Sequence, residues 1–241
     1  KSISFNKKSI DESEELFMAL SLGVRDYFRK SKFSKAVIGL SGGIDSSLTA
    51  AIAANAIGPD NVIGISMPSD FSSEHSKNDA LSLAHNLGIK FETIPIHNIF
   101  TGLLKEMDSF FTGTEPGLAE ENLQARIRGN ILMSIANKIN ALVLNTGNKT
   151  ELALGYCTMY GDMCGALGVI SDINKKEVYQ ISRWINDSEH DPVIPQSSID
   201  KAPSAELKEN QYDPFDYDLV SPIVDHIIND MLDQNALCDK G

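Results

Sequence analysis

"KAVIGLSGGIDSSLTAAIAANAI", residues 35–57, decides the fold. A short β-branched apolar run (35–40) enters a turn of glycines and serines, and an alanine-rich run leaves it. That succession reads as strand, turn and closely packed helix. The next apolar run, "NVIGIS" (61–66), completes a βαβ unit, so the sheet it belongs to is parallel.

The alternation continues outward. Before it, Leu16, Leu20, Val24 and Phe28 recur at helical spacing behind a capping box of Ser9 and Glu12. After it, "SEHSKNDALSLAHNLG" reads as a helix ending at Gly88, and "IKFETIPI" as a strand. Leu123, Ile127, Ile131, Ile135 and Ile139 mark a long helix before the strand "ALVLN" (141–145). Nearly continuous apolar strands require cover on both faces, so the expected fold is α/β: a doubly wound, Rossmann-like parallel sheet with helices on both sides. Residues 187–220 break every periodicity and are expected to form a long loop, with "SPIVDHIINDMLDQ" adding one more helix. One domain, 1–241, is expected.

Composition narrows the function. A net charge of -12 over 241 residues, 42% of them hydrophobic, excludes broad attraction to nucleic acid or to an anionic membrane. Cys157, Cys164 and Cys238 are too scattered for a disulfide framework, which fits the cytoplasm; Cys157 and Cys164 read as small buried packing residues. The five histidines have no paired ligand spacing. "KSISFNKKSI" at the start is neither a secretory signal nor a membrane span, and Lys1 leads us to expect a natural start further upstream.

The turn "SGGIDSS" (41–47) aims backbone N–H groups and the positive end of a helix at one anion. Gly42 and Gly43 let the main chain come close, and Ser41, Ser46 and Ser47 add hydroxyls. Asp45 beside phosphate oxygens needs a cation between them, and magnesium is the natural one. A plain strand-to-helix turn with a serine cap is the alternative. The P-loop lysine is missing and no G-x-G-x-x-G follows the strand, which sets aside kinase-like NTPases and nicotinamide-dependent dehydrogenases.

S-G-G-x-D-S resembles the signature of the ATP pyrophosphatases, which split ATP between the α- and β-phosphates and adenylate a substrate. With "ENLQARIRGNILMSIAN" (121–137), "LVLNTGNKTELALGYCTMYGD" (142–162), "INKKEVY" (173–179) and "KAPSAEL" (201–207), the chain resembles the NAD synthetases over about residues 35 to 210. The resemblance implies the adenine nucleotide alpha hydrolase-like fold. It implies an ATP site of Gly39, Leu40, Ser41, Gly42, Gly43, Ile44, Asp45 and Ser46 with Thr146, Lys175 and Ser204, and magnesium on Asp45 and Glu151. It places Arg126, Met159 and Asp162 against the nicotinate nucleotide, and the adenine beside "SMPS" (66–69). Each has a plainer reading: Glu151 as a first-turn helix acid, Lys175 as a solvated helix start, Arg126 as an exposed helical arginine.

The implied reaction is ATP-dependent amidation of deamido-NAD to NAD through an adenylated carboxylate. Asp45 and Glu151 serve the phosphates, Asp162 is a candidate base for ammonium, and 187–220 with Ser204 forms a mobile lid. Met159 stands where many ammonia-dependent members carry a lysine, the His-Lys pair of their tail is lacking, and "ELALGYCTMYGDM" looks more like the glutamine-using branch. No glutaminase domain fits this length, so free ammonia is the expected nitrogen donor. The mononucleotide as acceptor, or a tRNA-modifying adenylating enzyme, are the alternatives. The family implies a homodimer, to which the 123–139 stripe contributes unless it is buried against the chain's own sheet.

Overall fold

The apolar runs of the sequence become a five-stranded parallel sheet in a computed structural model, which describes residues 10–209 and 211–238. The elements in chain order are α1 (Glu12–Ser31), β1 (Ala36–Gly39), α2 (Ile44–Ile57), β2 (Val62–Ser66), α3 (Glu74–Leu87), β3 (Lys90–Thr93), α4 (His97–Glu106), α5 (Asp108–Phe111), α6 (Leu118–Ile139), β4 (Leu142–Asn145), α7 (Lys149–Leu154), β5 (Leu167–Gly168), α8 (Lys175–Ser188), α9 (Gln196–Asp200), α10 (Tyr217–Ile228) and α11 (Gln234–Cys238).

The strands run in the order β3-β2-β1-β4-β5. Ala36 pairs with Val62 on one side and with Leu142 on the other. The winding therefore reverses between β1 and β4, and such a sheet opens a ligand crevice at the carboxyl ends of those two strands. This is the doubly wound fold expected from the βαβ pattern.

Strand pleating sends alternate residues to opposite faces. Ile38 joins Leu48 and Ile52 of α2, Val24 and Phe28 of α1, and Val178 and Ile181 of α8. Val37 joins Ile65, Val143 and Ile127 on the other face. Helix α2 is buried on nearly all sides, and its alanines let both the sheet and α1 approach. Leu48, fully buried in that layer, is a direct probe of it. Leu48→Ala is expected to lower stability by about 2–5 kcal/mol, read from denaturant unfolding, with little change in the unfolding slope.

Several expectations change on contact with the structure. Helix α1 is capped by Asp11, whose side chain accepts from Ser13 N at 2.8 Å, and Ser9 lies outside the described residues. The stripe from Leu123 to Ile139 packs on the chain's own sheet, with Ile127 buried and Leu123, Ile131, Ile135 and Ile139 partly buried. Residues 187–220 are not one irregular loop: α8 reaches Ser188, α9 spans Gln196–Asp200, and α10 starts at Tyr217. The terminal helix ends at Ile228, and a separate short helix follows from Gln234. Cys157 and Cys164 are only half-buried. Among the described residues, no helix is long and apolar enough to cross a membrane.

Candidate active site

Leu40 N still bonds to Ile65 O at 2.9 Å, and the chain then leaves the sheet through Ser41, Gly42 and Gly43. Gly42 takes φ +79°, and a Cβ there would lie 2.2 Å from Ser76 O, so the turn sits directly against the first turn of α3. Only glycine meets both conditions. Gly43 caps α2 with no side-chain hydrogen bond, which leaves amides at that helix end available to an anion. Ser46 and Ser47 both donate to Gly43 O, at 3.0 and 2.9 Å, and so hold the turn.

The second half of the site follows β4. Asn145 donates from Nδ2 to the carbonyls of Asp162, at 2.5 Å, and Cys164, at 3.2 Å, while its Oδ1 accepts from Gly147 N at 2.8 Å. Asn148 caps α7, accepting from Glu151 N at 3.0 Å, and Glu151 returns the contact to Asn148 N at 3.4 Å. Glu151 is thus a first-turn helix acid, as its plainer reading had it, and it also faces the crevice. Asn148 Nδ2 reaches across to Asp45 Oδ1 at 2.9 Å, tying α7 to α2.

Asp45 and Glu151 meet on one ammonium. Lys175 Nζ lies 2.5 Å from Asp45 Oδ2 and 3.2 Å from Glu151 Oε1. Burial alone would depress the lysine, yet the two carboxylates push it above its ordinary value. Burial, reinforced by Asp45 and opposed by Lys175, pushes Glu151 up to about 7. Lys175 is the first residue of α8, but its side chain is only 3% exposed, so it is not the solvated helix start of the plainer reading. Asp225 of α10 secures the underside, accepting from Lys149 Nζ at 2.9 Å and Asn174 Nδ2 at 2.5 Å.

A cavity of about 400 Å³ opens above these groups, lined by Ser41, Gly43, Ile44, Asp45, Ser46, Thr146, Glu151, Asp162, Lys175 and Ser204. A second, of about 250 Å³, adjoins it through Ser41, Thr146, Asp162 and Glu206, and adds Gly39, Leu40, Met67, Pro68 and Arg128. The first compartment, beside the glycine-rich turn and the α2 terminus, suits phosphates, and the second, beside Ser66–Pro68, suits a base. Asp162 accepts from Thr158 N at 2.6 Å; burial outweighs that bond and raises its carboxyl.

Arg126 and Met159 line neither cavity: Arg126 is exposed and donates from Nε to Met159 O at 3.2 Å, and Met159 is 61% exposed. Two residues on, Arg128 does face the second cavity, with Nε on Met67 O at 3.0 Å. Gly161 packs closely against α6, since a Cβ there would meet Ala125 Cβ at 2.8 Å. Lys201, Glu206 and Asn148 belong to the site and were absent from the expectations. Of these, Asn148 was readable as the cap of N-K-T-E.

Among the described residues no three carboxylate, histidine or cysteine groups converge as a metal cage. Two carboxylates do, and magnesium commonly takes one or two carboxylates and fills its shell with water and substrate phosphates. Asp45 and Glu151 fit that donor set.

The model of a family described as NAD synthase matches residues 16–240. The chain belongs to that family. Among NAD synthetases, that of Synechocystis, named glutamine-dependent, is 53% identical over 233 residues, covering 95% of this chain and 41% of its own. The glutamine-dependent NAD+ synthetase of Acinetobacter baumannii, solved in complex with adenosine diphosphate, superposes with a TM-score of 0.81 at 37% identity, over 100% of this chain and 44% of its own. The NMN synthetase of Francisella tularensis superposes with 0.80 at 27% identity, over 95% and 91%. The chain spans about two fifths of the length of the glutamine-dependent relatives it matches. Its length therefore says nothing about the nitrogen source, and the expectation of free ammonia loses that support.

Proposed function

We propose that this NAD synthase domain amidates the nicotinate carboxylate of deamido-NAD, consuming ATP and releasing AMP and pyrophosphate. The observation that carries this reading is the meeting of Asp45 and Glu151 on Lys175 beneath the glycine-rich turn, at the β1–β4 switch point. In the first step the acceptor carboxylate attacks the α-phosphorus and the bond to the β-phosphate breaks. The turn amides and the α2 terminus face the charge that gathers on departing pyrophosphate. Magnesium held by Asp45 and Glu151 would supply neutralisation of that charge. In the second step ammonia attacks the acyl carbon and AMP leaves. Asp162, which lines both cavities and whose carboxyl burial raises, is the base proposed to take a proton from ammonium. Residues 201–207, within the 187–220 segment expected to act as a lid, line the cavity and in this reading shield the adenylate from water. A homodimer and a cytoplasmic setting belong to the same reading.

A second acceptor has one specific support: the NMN synthetase likeness runs over almost the whole of both chains, and that protein's name points to the mononucleotide. The test is release of AMP and pyrophosphate from ATP and magnesium, with ammonium or glutamine as donor. The acceptors compared are deamido-NAD, nicotinate mononucleotide, bulk tRNA and none. Release with deamido-NAD and ammonium, and formation of NAD, is the expected result. Release independent of any nicotinate nucleotide refutes the reading, and preference for the mononucleotide replaces the acceptor.

A further inference from the structure

The glycine-rich turn lacks a lysine of its own, yet a lysine from far along the chain contacts Ser76, the residue packed against it. Lys201 is the residue that ends α9, and its Nζ contacts Ser76 Oγ and lies 2.5 Å from Glu206 Oε1. Ser76 is the residue whose carbonyl presses on Gly42. Helix α9 is fixed to the same place by Ser198, whose buried hydroxyl donates to Gly42 O at 3.0 Å, and by Ser197, which donates to Asp79 Oδ1 at 2.5 Å. The base of the Lys201 side chain is therefore anchored to the turn itself, and the side chain lines the first cavity.

Charge decides what it can do there. The first cavity is lined by Asp45, Glu121, Glu151, Asp162, Glu206 and Asp213, against two cations among the described residues, Lys175 and Lys201. A triphosphate brings about four further negative charges, so a cation must turn toward it. Lys175 is shared by two carboxylates and is 3% exposed. Lys201 is held by one carboxylate and is 29% exposed.

Glu206 does not depend on Lys201 alone. It also accepts from Ser73 Oγ at 3.1 Å and Ser76 Oγ at 2.8 Å, at the N-terminus of the fourteen-residue α3, where the helix dipole favours an anion. The guanidinium of Arg128, which burial pushes down to about 10 against the opposing pull of Glu206, lines the second cavity with it. Glu206 can thus give up the lysine and stay ionised in place.

We propose that Lys201 is the phosphate-binding cation of this site: on nucleotide binding its Nζ leaves Glu206 for the β- and γ-phosphate oxygens, which become the departing pyrophosphate. This rests on the ATP-dependent reading above and adds a residue to it. The exchange is ionic and breaks no covalent bond. Glu206 keeps Lys201 parked beside the turn until the nucleotide arrives.

Calorimetric titration of the wild-type domain, K201Q, K201R and E206Q with magnesium-ATP, magnesium-pyrophosphate and AMP separates this from a purely structural tie. K201Q is expected to weaken ATP and pyrophosphate by roughly 10- to 100-fold, the loss of one charge-assisted contact, while AMP stays within about twofold. K201R restores most of the affinity. E206Q, which frees the lysine, binds ATP and pyrophosphate as tightly as wild type or more so. If K201Q and E206Q weaken all three ligands alike, the pair is a strut and the proposal falls; it falls equally if K201Q binds pyrophosphate normally. Should K201Q melt early, the K201R and E206Q titrations decide alone. Wild-type domain that binds none of the three ligands would instead strike the ATP-dependent reading itself.

Discussion

Asp45→Asn is expected to lower kcat/KM for ATP by at least about 100-fold, the scale for removing one preorganised electrostatic group from a reaction centre. Asp45 Oδ2 faces the Lys175 ammonium and Oδ1 accepts from Asn148 Nδ2. An asparagine offers one acceptor and one amide, so either orientation sets a donor against a donor. The variant loses charge and fit together, and its melting temperature should fall as well. Glu151→Gln meets the same constraint, because Oε1 accepts from Lys175 Nζ and Oε2 from Asn148 N. The charge it removes is one that burial and Asp45 oppose, the carboxyl being pushed up to about 7, so its fall in melting temperature is expected to be smaller than that of Asp45→Asn, with a comparable loss of activity. Steady-state kinetics with thermal melts of both variants checks the pair. Asp45→Asn activity within fivefold of wild type would mean that the carboxylates do not serve the phosphates.

Gly42→Ala is the second large effect. The position carries φ +79°, which costs a non-glycine residue about 1–3 kcal/mol, and the new Cβ would overlap Ser76 O. Backbone strain alone lowers the melting temperature by roughly 2–12 °C in a chain of this size, and the overlap adds to it. Gly88→Ala is the matched control. It sits at φ +67° with nothing within 4 Å of the added Cβ, so it carries the strain without the overlap. The difference between the two melts isolates the contact of the turn with α3. Only Gly42→Ala should also weaken ATP, because only it displaces the amides around the phosphate site. Equal melts and equal ATP affinities for the two variants would show that the turn tolerates a shift away from Ser76.

Much of the fold was legible because both of its periodicities are local. The strands around 36–39, 62–66 and 142–145 are apolar on both faces, and Gly88 ends α3 with φ +67° as its position foretold. The convergence of Asp45 and Glu151 was legible too, since both follow the ends of strands that a doubly wound order places side by side. The role of Lys175 between them was not, because a helix-start lysine looks the same in sequence whether it points to water or to two carboxylates.

The positions of Arg126 and Arg128 show the limit of helical phase. Both flank Ile127 by one residue, so the apolar stripe favours neither. Each is tied to a main-chain carbonyl, Arg126 to Met159 O and Arg128 to Met67 O, and only the second of these lies beside a cavity. Lys201 and Glu206 both lie in the quoted stretch 201–207, but their tie to Ser76 was not legible, because Ser76 stands 125 positions from Lys201 and 201–209 has no periodicity.

The pairing of Ala36 with both Val62 and Leu142 bears on how the molecule comes into being. The strand carrying the glycine-rich turn finds one neighbour soon after it is synthesised, but must wait for the other until the whole stretch from Gly39 to Leu142 has emerged, and long-range parallel pairing of this kind is slow. During that interval Asp45 has neither Asn148 nor Lys175 beside it. Capacity for the nucleotide thus arrives late and all at once, and a ligand supplied during refolding would act on the finished molecule, not as a template for its assembly.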